Sequence, residues 1–495
     1  MYAPNGAIDA KPTEAAPPLS SRKLTFRSFF DSFAPKSDKW KKRNTYLYRS
    51  DEKYLRFLVP TGAKVLVLGC GTGRLLAAVQ PSVGVGVDLS EQMIAIARQN
   101  HPAYSFHTAD AEALATIARS LGGPFDYVIL ADTLGYLDDV QSCLNQVRQV
   151  CHADTRIVIA EYSHLWEPAL RVGELIGAKM RQPSLNYVGA VDVENLLDLT
   201  DFEQIKRERR ILFPYFALGL GPLINNTLGT LPLIQIFCLR FYVVARLAEA
   251  KRVSTPLSAT VLVPCRNEKG NIENAIKRLP IFCEDLEIMY VEGNSSDGTY
   301  EECLRVKEAY AATHNITVYK QPGKGKGDAV RKGFDEARGD VLIILDADLT
   351  VPPEDIPKFY DVINSGKADF VNGTRLVYPL EKDAMRFLNY LANRTFAFIF
   401  SFLLTTRLTD TLCGTKVLRR KDYIELVRGR AYFGDFDPFG DFDLIFGAAK
   451  LNLKMLEVPV RYGARTYGST QISRFRDGWQ LLKMVVFAFM KMKVH

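Results

Sequence analysis

The sequence predicts an α/β protein built from two parallel-sheet domains, and three observations carry that prediction. The chain has 495 residues, more than one domain at about 100–200 residues each. Two strand-like apolar runs, AKVLVLGCGTG from Ala63 and ATVLVPCRNE from Ala259, each break into a loop of Gly, Asn or charged residues. After both, short apolar runs alternate with helical patterns, the mark of βαβ units and parallel sheets.

Composition narrows the class. Hydrophobic residues make up 47% and charged residues 24%, which fits a soluble globular protein and excludes a collagen-like or wholly disordered one. The 63 Lys+Arg against 56 Asp+Glu leave +7, too thin an excess to expect nucleic acid as a partner. Eight cysteines without a CxxC pair make neither a zinc framework nor a disulfide scaffold and fit a reducing cytoplasm. Residues 1–40 open with small residues and prolines and lack a signal peptide's apolar core, so a disordered leader is expected there. A first domain then spans 41–248, a polar linker 249–258, and a second domain 259–495. No window holds the roughly 18 uninterrupted apolar residues of a spanning helix; the nearest are Thr395–Leu404, which is too short, and Ile211–Leu233, which is broken by prolines, glycines and Asn225-Asn226.

In the first domain, Val65–Leu68 reads as a buried strand, Gly69-Cys70-Gly71-Thr72-Gly73 as a loop and Arg74–Val79 as a helix. Glycines let the backbone turn sharply and approach a ligand, and the helix start offers unpaired N–H groups. VGVGVDLS sets Asp88 at the end of the next strand, where a carboxylate can accept ribose hydroxyls. Asp110-Ala111 follows a third strand, and FDYVILADTLGYL supplies a fourth. This succession resembles the class I S-adenosylmethionine-dependent methyltransferases over about 45–248. The resemblance implies a Rossmann-like fold with S-adenosylmethionine as cofactor. It further implies that Gly69, Gly71 and Gly73 pass the methionine end, Asp88 holds the ribose, Asp110 faces the adenine, and Asp132–Leu134 borders the sulfonium. Methyl transfer needs in-line geometry above all. Glu161, Tyr162, His164 and Tyr187 are candidate bases; none is assigned.

In the second domain, Thr260–Val263 is a strand leading to Pro264-Cys265-Arg266-Asn267-Glu268, and Leu286–Val291 one ending in Glu292-Gly293-Asn294-Ser295-Ser296-Asp297-Gly298-Thr299. Polar loops at the carboxyl ends of adjacent parallel strands make a ligand crevice. The strand Val341–Leu345 stops at Asp346-Ala347-Asp348, and two carboxylates so close repel unless a cation offsets them. Oxygen ligands select Mg²⁺ or Mn²⁺, which can bridge a diphosphate leaving group.

The ordered set PCRNE, VEGNSSDGT, GKGDAVRKGFDEARGD and LDADLTVPPE resembles the family-2 inverting glycosyltransferases of GT-A fold over about 258–480. GKGDAVRKGF and VPVRYGARTYGSTQIS bring it nearest to the dolichyl- or polyprenyl-phosphate sugar synthases. The resemblance implies a UDP- or GDP-linked sugar as donor and a lipid phosphate or a glycan as acceptor. Pro264, Asn267, Glu268, Glu292 and Asp297 would contact the nucleoside, Asp346 and Asp348 the metal and diphosphate, and Arg465 and Ser469 a phosphate. Two departures stand out: Glu292 replaces the usual Asp, and Ser469-Thr470 lacks the usual Lys. Lys324 and Lys326 either compensate or belong to a solvated loop.

On the acceptor side, Asp441 and Asp443 are the candidate catalytic acids; the alternative is a helix N-cap at Asp441 and a first-turn acid at Asp443. Asp410 and Lys416 border the acceptor site or anchor its loop. The apolar stretches 393–404 and 479–493 carry flanking cations and fit either peripheral contact with a membrane or packing on the domain. Together these features predict a cytoplasmic bifunctional enzyme of glycan or glycolipid biosynthesis. The rival readings are a glycosyltransferase with a regulatory S-adenosylmethionine-binding domain, and a non-catalytic scaffold.

Overall fold

The computed structural model describes residues 18–177, 180, 182–183, 186, 188–248, 256–375, 387–432, 440–460, 463, 467 and 474–494. The chain divides into two compact units on either side of residue 248, each built on a seven-stranded sheet.

The first unit contains β1 (Lys64–Leu68), β2 (Val83–Asp88), β3 (Ser105–Thr108), β4 (Phe125–Ala131), β5 (Cys151–Tyr162), β6 (Phe202–Arg210) and β7 (Arg240–Leu247). Their order is β3-β2-β1-β4-β5-β7-β6. Neighbours are parallel from β3 to β5, and β7 runs antiparallel to both β5 and β6. Val65–Leu68 and Val128–Leu130 are buried on both faces, as expected of central parallel strands covered by helices. The strand order reverses beside β1, so a crevice opens at its carboxyl end. The glycine loop after β1, Asp88 at the end of β2 and Asp132 after β4 all reach that edge.

The expectation of a disordered leader through residue 40 is corrected in part. Residues 1–17 lie outside the described ones, but Ser21–Arg43 forms a helix, α1, followed by α2 (Thr45–Leu58). The Ser20 hydroxyl caps α1 by accepting from the Lys23 amide, and Lys41, Lys42 and Arg43 occupy the last turn, where cations complement the helix dipole. Phe26, Phe30 and Phe33 recur at helical spacing and line a cavity of the unit. Composition misled here because small residues and prolines precede a helix whose aromatic face pays its ordering cost by tertiary packing.

The second unit contains β8 (Ala259–Cys265), β9 (Leu286–Glu292), β10 (Asn315–Lys320), β11 (Val341–Ile344), β12 (Phe370–Thr374), β13 (Lys416–Arg419) and β14 (Met455–Pro459), in the order β10-β9-β8-β11-β13-β12-β14. The pairs from β10 to β11 are parallel; β13 runs antiparallel to β11 and β12, and β14 is parallel to β12. This single reversal has a consequence for the site. The carboxyl ends of β8, β9, β11 and β12 share one edge, and the first residue of β13, Lys416, lies at that same edge.

Helices Phe387–Leu404 and Arg474–Met492 pack together. Phe400, Leu403, Met484 and Ala488 are buried, while Trp479, Leu482, Val486 and Met490 stay exposed on the opposite side. Packing on the domain therefore holds for one face of these helices, and the other is an open apolar stripe. Among the described residues no helix is long and apolar enough to cross a membrane.

The Phe26 ring is 2% exposed and meets Tyr136 edge-to-face at 5.2 Å. Phe26→Ala is expected to lower the stability of the first unit by about 3 kcal/mol, read by denaturant unfolding. A Phe on a disordered leader would leave the midpoint unchanged.

Candidate active sites

In the first unit the three loop glycines answer three different demands. All have positive φ, at 69°, 53° and 79° for Gly69, Gly71 and Gly73. A Cβ on Gly69 would stand 2.5 Å from the Thr133 hydroxyl, and one on Gly73 2.8 Å from the Phe106 ring. A Cβ on Gly71 would meet nothing within 4 Å, because Gly71 faces a cavity of about 570 Å³. Asp88 ties the loop to the next strand: its carboxylate accepts from the Gly71 amide at 2.8 Å and the Ser90 amide at 2.9 Å. Burial still pushes its pKa above the ordinary range, against those two hydrogen bonds.

Helix α1 roofs this cavity. The Thr72 hydroxyl donates to Asp38 at 2.8 Å and the Ser90 hydroxyl to Asp31 at 2.6 Å. Lys23 pairs with Asp110 and, at 3.0 Å, with Glu112. Asp110 also accepts from the Glu112 amide at 3.0 Å, so both of its oxygens have partners from the protein. The bare-backbone cradle at Gly71, the carboxylate of Asp88 and the aromatic roof fit a nucleoside carrying a sulfonium cation.

Deeper in, Arg240 on β7 is 1% exposed and pairs with Asp51 of α2, at 3.2 Å, and with Asp132. Glu161 at the end of β5 accepts from the Thr133 and Leu134 amides at 2.9 and 2.8 Å. Burial, and then the nearby Asp132 charge, push the Glu161 pKa up to about 8, and its two accepted hydrogen bonds shape the Asp132–Leu134 turn. Tyr162 also lines the cavity. His164 opens a short turn after β5, and Tyr187 lies outside the described residues. The sequence reading missed Lys23, Asp51 and Arg240. Of these only Arg240 left a trace, as a cation opening a largely apolar strand.

In the second unit the loops after β8 and β9 brace each other. The Asn267 amide donates to Ser295 at 2.9 Å, and the Asn267 side chain accepts from the Ser296 amide at 2.9 Å. Asn267 adopts φ 54°, a conformation Asn tolerates. Glu268 accepts from Asn271 at 2.8 Å, and Glu292 from the Ser295 amide. Burial opposes the charge on Asp297, but hydrogen bonds from Thr299 and Lys269 outweigh it and lower its pKa. Pro264 is half-buried on β8.

Beyond them, at the end of β11, Asp346 pairs with Lys326 at 2.7 Å, and Lys326 stands 3.6 Å from Asp441. Lys416, fully buried, stands 3.9 Å from Asp441. Lys326 is the first residue of helix Lys326–Glu336, where the helix dipole disfavours a cation. Partial burial would also lower its pKa, yet Asp346, Asp441 and Asp348 raise it above the ordinary range. Burial would raise the Asp346 pKa; Lys326, Lys416 and Arg375 hold it down. Close backbones make this convergence possible. A Cβ on Gly414 would lie 1.8 Å from Asp346, and one on Gly440 2.6 Å from Gly327.

Gly440, with φ 76°, is therefore the N-cap of helix Asp441–Lys450, which corrects the N-cap alternative for Asp441. Asp441 joins the cluster, whereas Asp443 pairs with Arg430 at 3.0 Å. Asp410 is fully buried and held by Arg375 at 2.6 and 2.8 Å and by Asn393 at 2.8 Å. Lys324 is exposed. Arg465, Ser469 and Thr470 lie outside the described residues. The sequence reading missed Arg375, although its place directly after β12 puts it at the shared edge.

Asp348 accepts from the Thr350 amide and hydroxyl at 3.1 and 2.8 Å. Among the described residues no group of three or more His, Cys, Asp and Glu gathers into a metal cage. Two carboxylates one residue apart suit a hard cation that takes its remaining ligands from phosphate and water.

Residues 260–427 match the family Glycosyl transferase family 2, and residues 66–157 match a methyltransferase domain. The dolichol-phosphate mannosyltransferase of Saccharomyces cerevisiae is 30% identical over 246 residues, covering 46% of this chain and 88% of that protein. The chain belongs to glycosyl transferase family 2. This family-2 chain is also 29% identical over 221 residues to the dolichol-phosphate mannosyltransferase of Pyrococcus furiosus, covering 44% of itself and 59% of that relative's length. The chain is also similar to a SAM-dependent methyltransferase from Thermotoga maritima, at 17% identity and TM-score 0.34, over 45% of this chain and 99% of that one. By its two family matches, the chain joins a methyltransferase-like domain to a family-2 glycosyltransferase domain.

The Glu161 carboxyl predicts a pH signature. Its pKa rises from an ordinary 4.5 to about 8 on folding, so the folded state keeps a proton that the unfolded chain releases. Stability is then lost as pH rises through that window and levels off above it. Glu161→Gln keeps an acceptor for the Thr133 and Leu134 amides and is expected to flatten this decline, read by denaturant unfolding from acid to mildly alkaline pH. An unchanged slope would show that Glu161 does not titrate in that window.

Proposed function

We propose that the second unit transfers a glycosyl group from a UDP- or GDP-linked sugar to a lipid phosphate, with inversion, and that the first unit transfers methyl groups from S-adenosylmethionine. The functional domains are then 41–248 and 259–495, and the chain works at the cytoplasmic face of a membrane. The observation that carries the glycosyl-transfer reading is the alignment of Asp346, Lys326, Asp441 and Lys416 across one crevice. The lipid phosphate is supported by the two dolichol-phosphate mannosyltransferases among the relatives. The exposed stripe Trp479, Leu482, Val486 and Met490 supports peripheral lipid contact.

Inverting transfer is a single displacement. The acceptor oxygen bonds to the anomeric carbon as its bond to the donor diphosphate breaks, and the nucleoside diphosphate leaves with the electron pair. Asp346 and Asp348 would hold Mg²⁺ or Mn²⁺, which when bound offsets the charge of that leaving group. Lys326, already drawn between Asp346 and Asp441, places a second positive charge beside the diphosphate. Asn267, Glu268, Glu292 and Asp297 shape the nucleoside end through the two braced loops. A lipid phosphate is anionic before it reacts, so it needs no strong base. Asp441 then serves to orient Lys326 and Lys416 rather than to take a proton, and Asp443 holds Arg430.

Calorimetric titration of the full chain with UDP- and GDP-sugars plus Mn²⁺ tests this reading. One donor class is expected to bind only with the metal, and Asp348→Ala to weaken it by about tenfold or more, ~1.4 kcal/mol. Equal binding by Asp348→Ala, or no binding by any donor, would overturn it.

A further inference from the structure

From Ile211 to Leu239 the first unit carries no charged side chain. The segment winds through short turns at Ala217–Gly219, Leu220–Asn226, Leu228–Thr230 and Ile234–Phe237, and these turns do not bury their apolar residues. Phe216, Leu218, Leu223, Leu233 and Phe237 are 58%, 102%, 60%, 80% and 62% exposed. Leu175 and Ile176, at the end of a neighbouring helix, are exposed as well. Leaving so much apolar surface of one segment in water is costly and marks an interaction site. The backbone repeats the point. Leu218 holds φ 56°, a left-handed conformation that is unfavourable for a non-glycine residue, and does so with its side chain fully in solvent.

Charge beside the patch indicates what it meets. Asn225 donates to the Tyr46 hydroxyl at 2.9 Å, and the Tyr46 ring lies 6.3 Å from Phe216. Tyr46 sits just past the end of α1, where Lys39, Lys42 and Arg43 are exposed. An uncharged apolar surface bordered by cations is complementary to an anionic bilayer: leucines enter the acyl region while lysines reach the headgroups. A protein interface more often has a polar rim of both signs around its apolar centre.

The same segment walls the cavity under α1. Phe213, Pro214, Tyr215 and Leu239 line it beside Trp166 and Leu170, and the Trp166 indole donates to the Phe237 carbonyl at 2.8 Å. We propose that the face formed by 211–239 and the basic end of α1 docks on an anionic lipid surface, and that the cavity takes its acceptor from that surface, as the polar head of an amphiphile whose apolar part stays in the bilayer. The acceptor class rests on the methyl-transfer reading; the docking face does not.

Because helix Arg474–Met492 offers a separate apolar stripe, the test reads the patch locally. In the full chain, Leu233→Trp adds an indole on the patch, and vesicles of phosphatidylcholine and phosphatidylglycerol carrying brominated acyl chains are expected to quench its added emission. The double variant Leu218→Asp, Leu233→Asp is expected to bind those vesicles at least about tenfold more weakly while binding S-adenosylmethionine as the wild type does. Absent quenching, or unchanged vesicle affinity in the double variant, overturns the docking face. So does a vesicle-free dimer, seen by sedimentation velocity, that the double variant dissociates; the patch then covers a second copy. Quenching in a wild-type chain that fails to bind S-adenosylmethionine keeps the docking face and overturns the acceptor class.

Discussion

Parallel strands deliver all their carboxyl ends to one edge, and in both units that edge gathers carboxylates that cannot stand together without cations. Asp51 and Asp132 converge on a buried Arg240 in the first unit. In the second, Asp346 and Asp441 flank Lys326, with Lys416 behind. Unpaired, such charges would be expensive to desolvate; paired, they form prepared polar sites. The topology supplies the cations as well as the acids. Arg240 begins the antiparallel β7 and Lys416 the antiparallel β13, so one reversed strand in each sheet brings a basic residue back to the acidic edge.

The two sites use their glycines in a related way. Gly69 and Gly73 let side chains pack against the loop, while Gly414 and Gly440 let backbones approach Asp346 and Gly327. A methyl group at any of these positions would separate groups that now touch. The sites differ in how they are covered. Helix α1 closes the first cavity with Phe26, Phe30 and Phe33 and binds its rim through Asp31 and Asp38. The loops of the second are braced to each other through Asn267 and Ser295.

Motifs that fall on a strand followed by a loop were legible in the sequence, because local pattern fixes both the strand and its exit. Gly69–Gly73, Asp88, Asn267, Asp297 and Asp346 were found that way, and each stands at the edge of its sheet. Residues that reach a site from elsewhere in the fold were not. Lys23 arrives on a helix read as leader, Asp51 on α2, and Arg375 from β12, a strand whose neighbours depend on the reversal at β13. The pair Asp441 and Asp443 shows the same limit within one motif. Helical geometry turns Asp441 toward Lys326 and leaves Asp443 with Arg430, a division that spacing alone does not reveal.

This arrangement gives one chain two separate nucleotide-type sites, each at the carboxyl edge of its own sheet. Hydrogen–deuterium exchange on the full chain, with S-adenosylmethionine and with a nucleoside diphosphate plus Mn²⁺ added in turn, tests it most directly. The first ligand is expected to protect α1 and the segments 69–73 and 88–90, and the second to protect 265–268, 292–299 and 346–350, with no overlap. Protection of the same segments by both ligands, or of neither set, would contradict it.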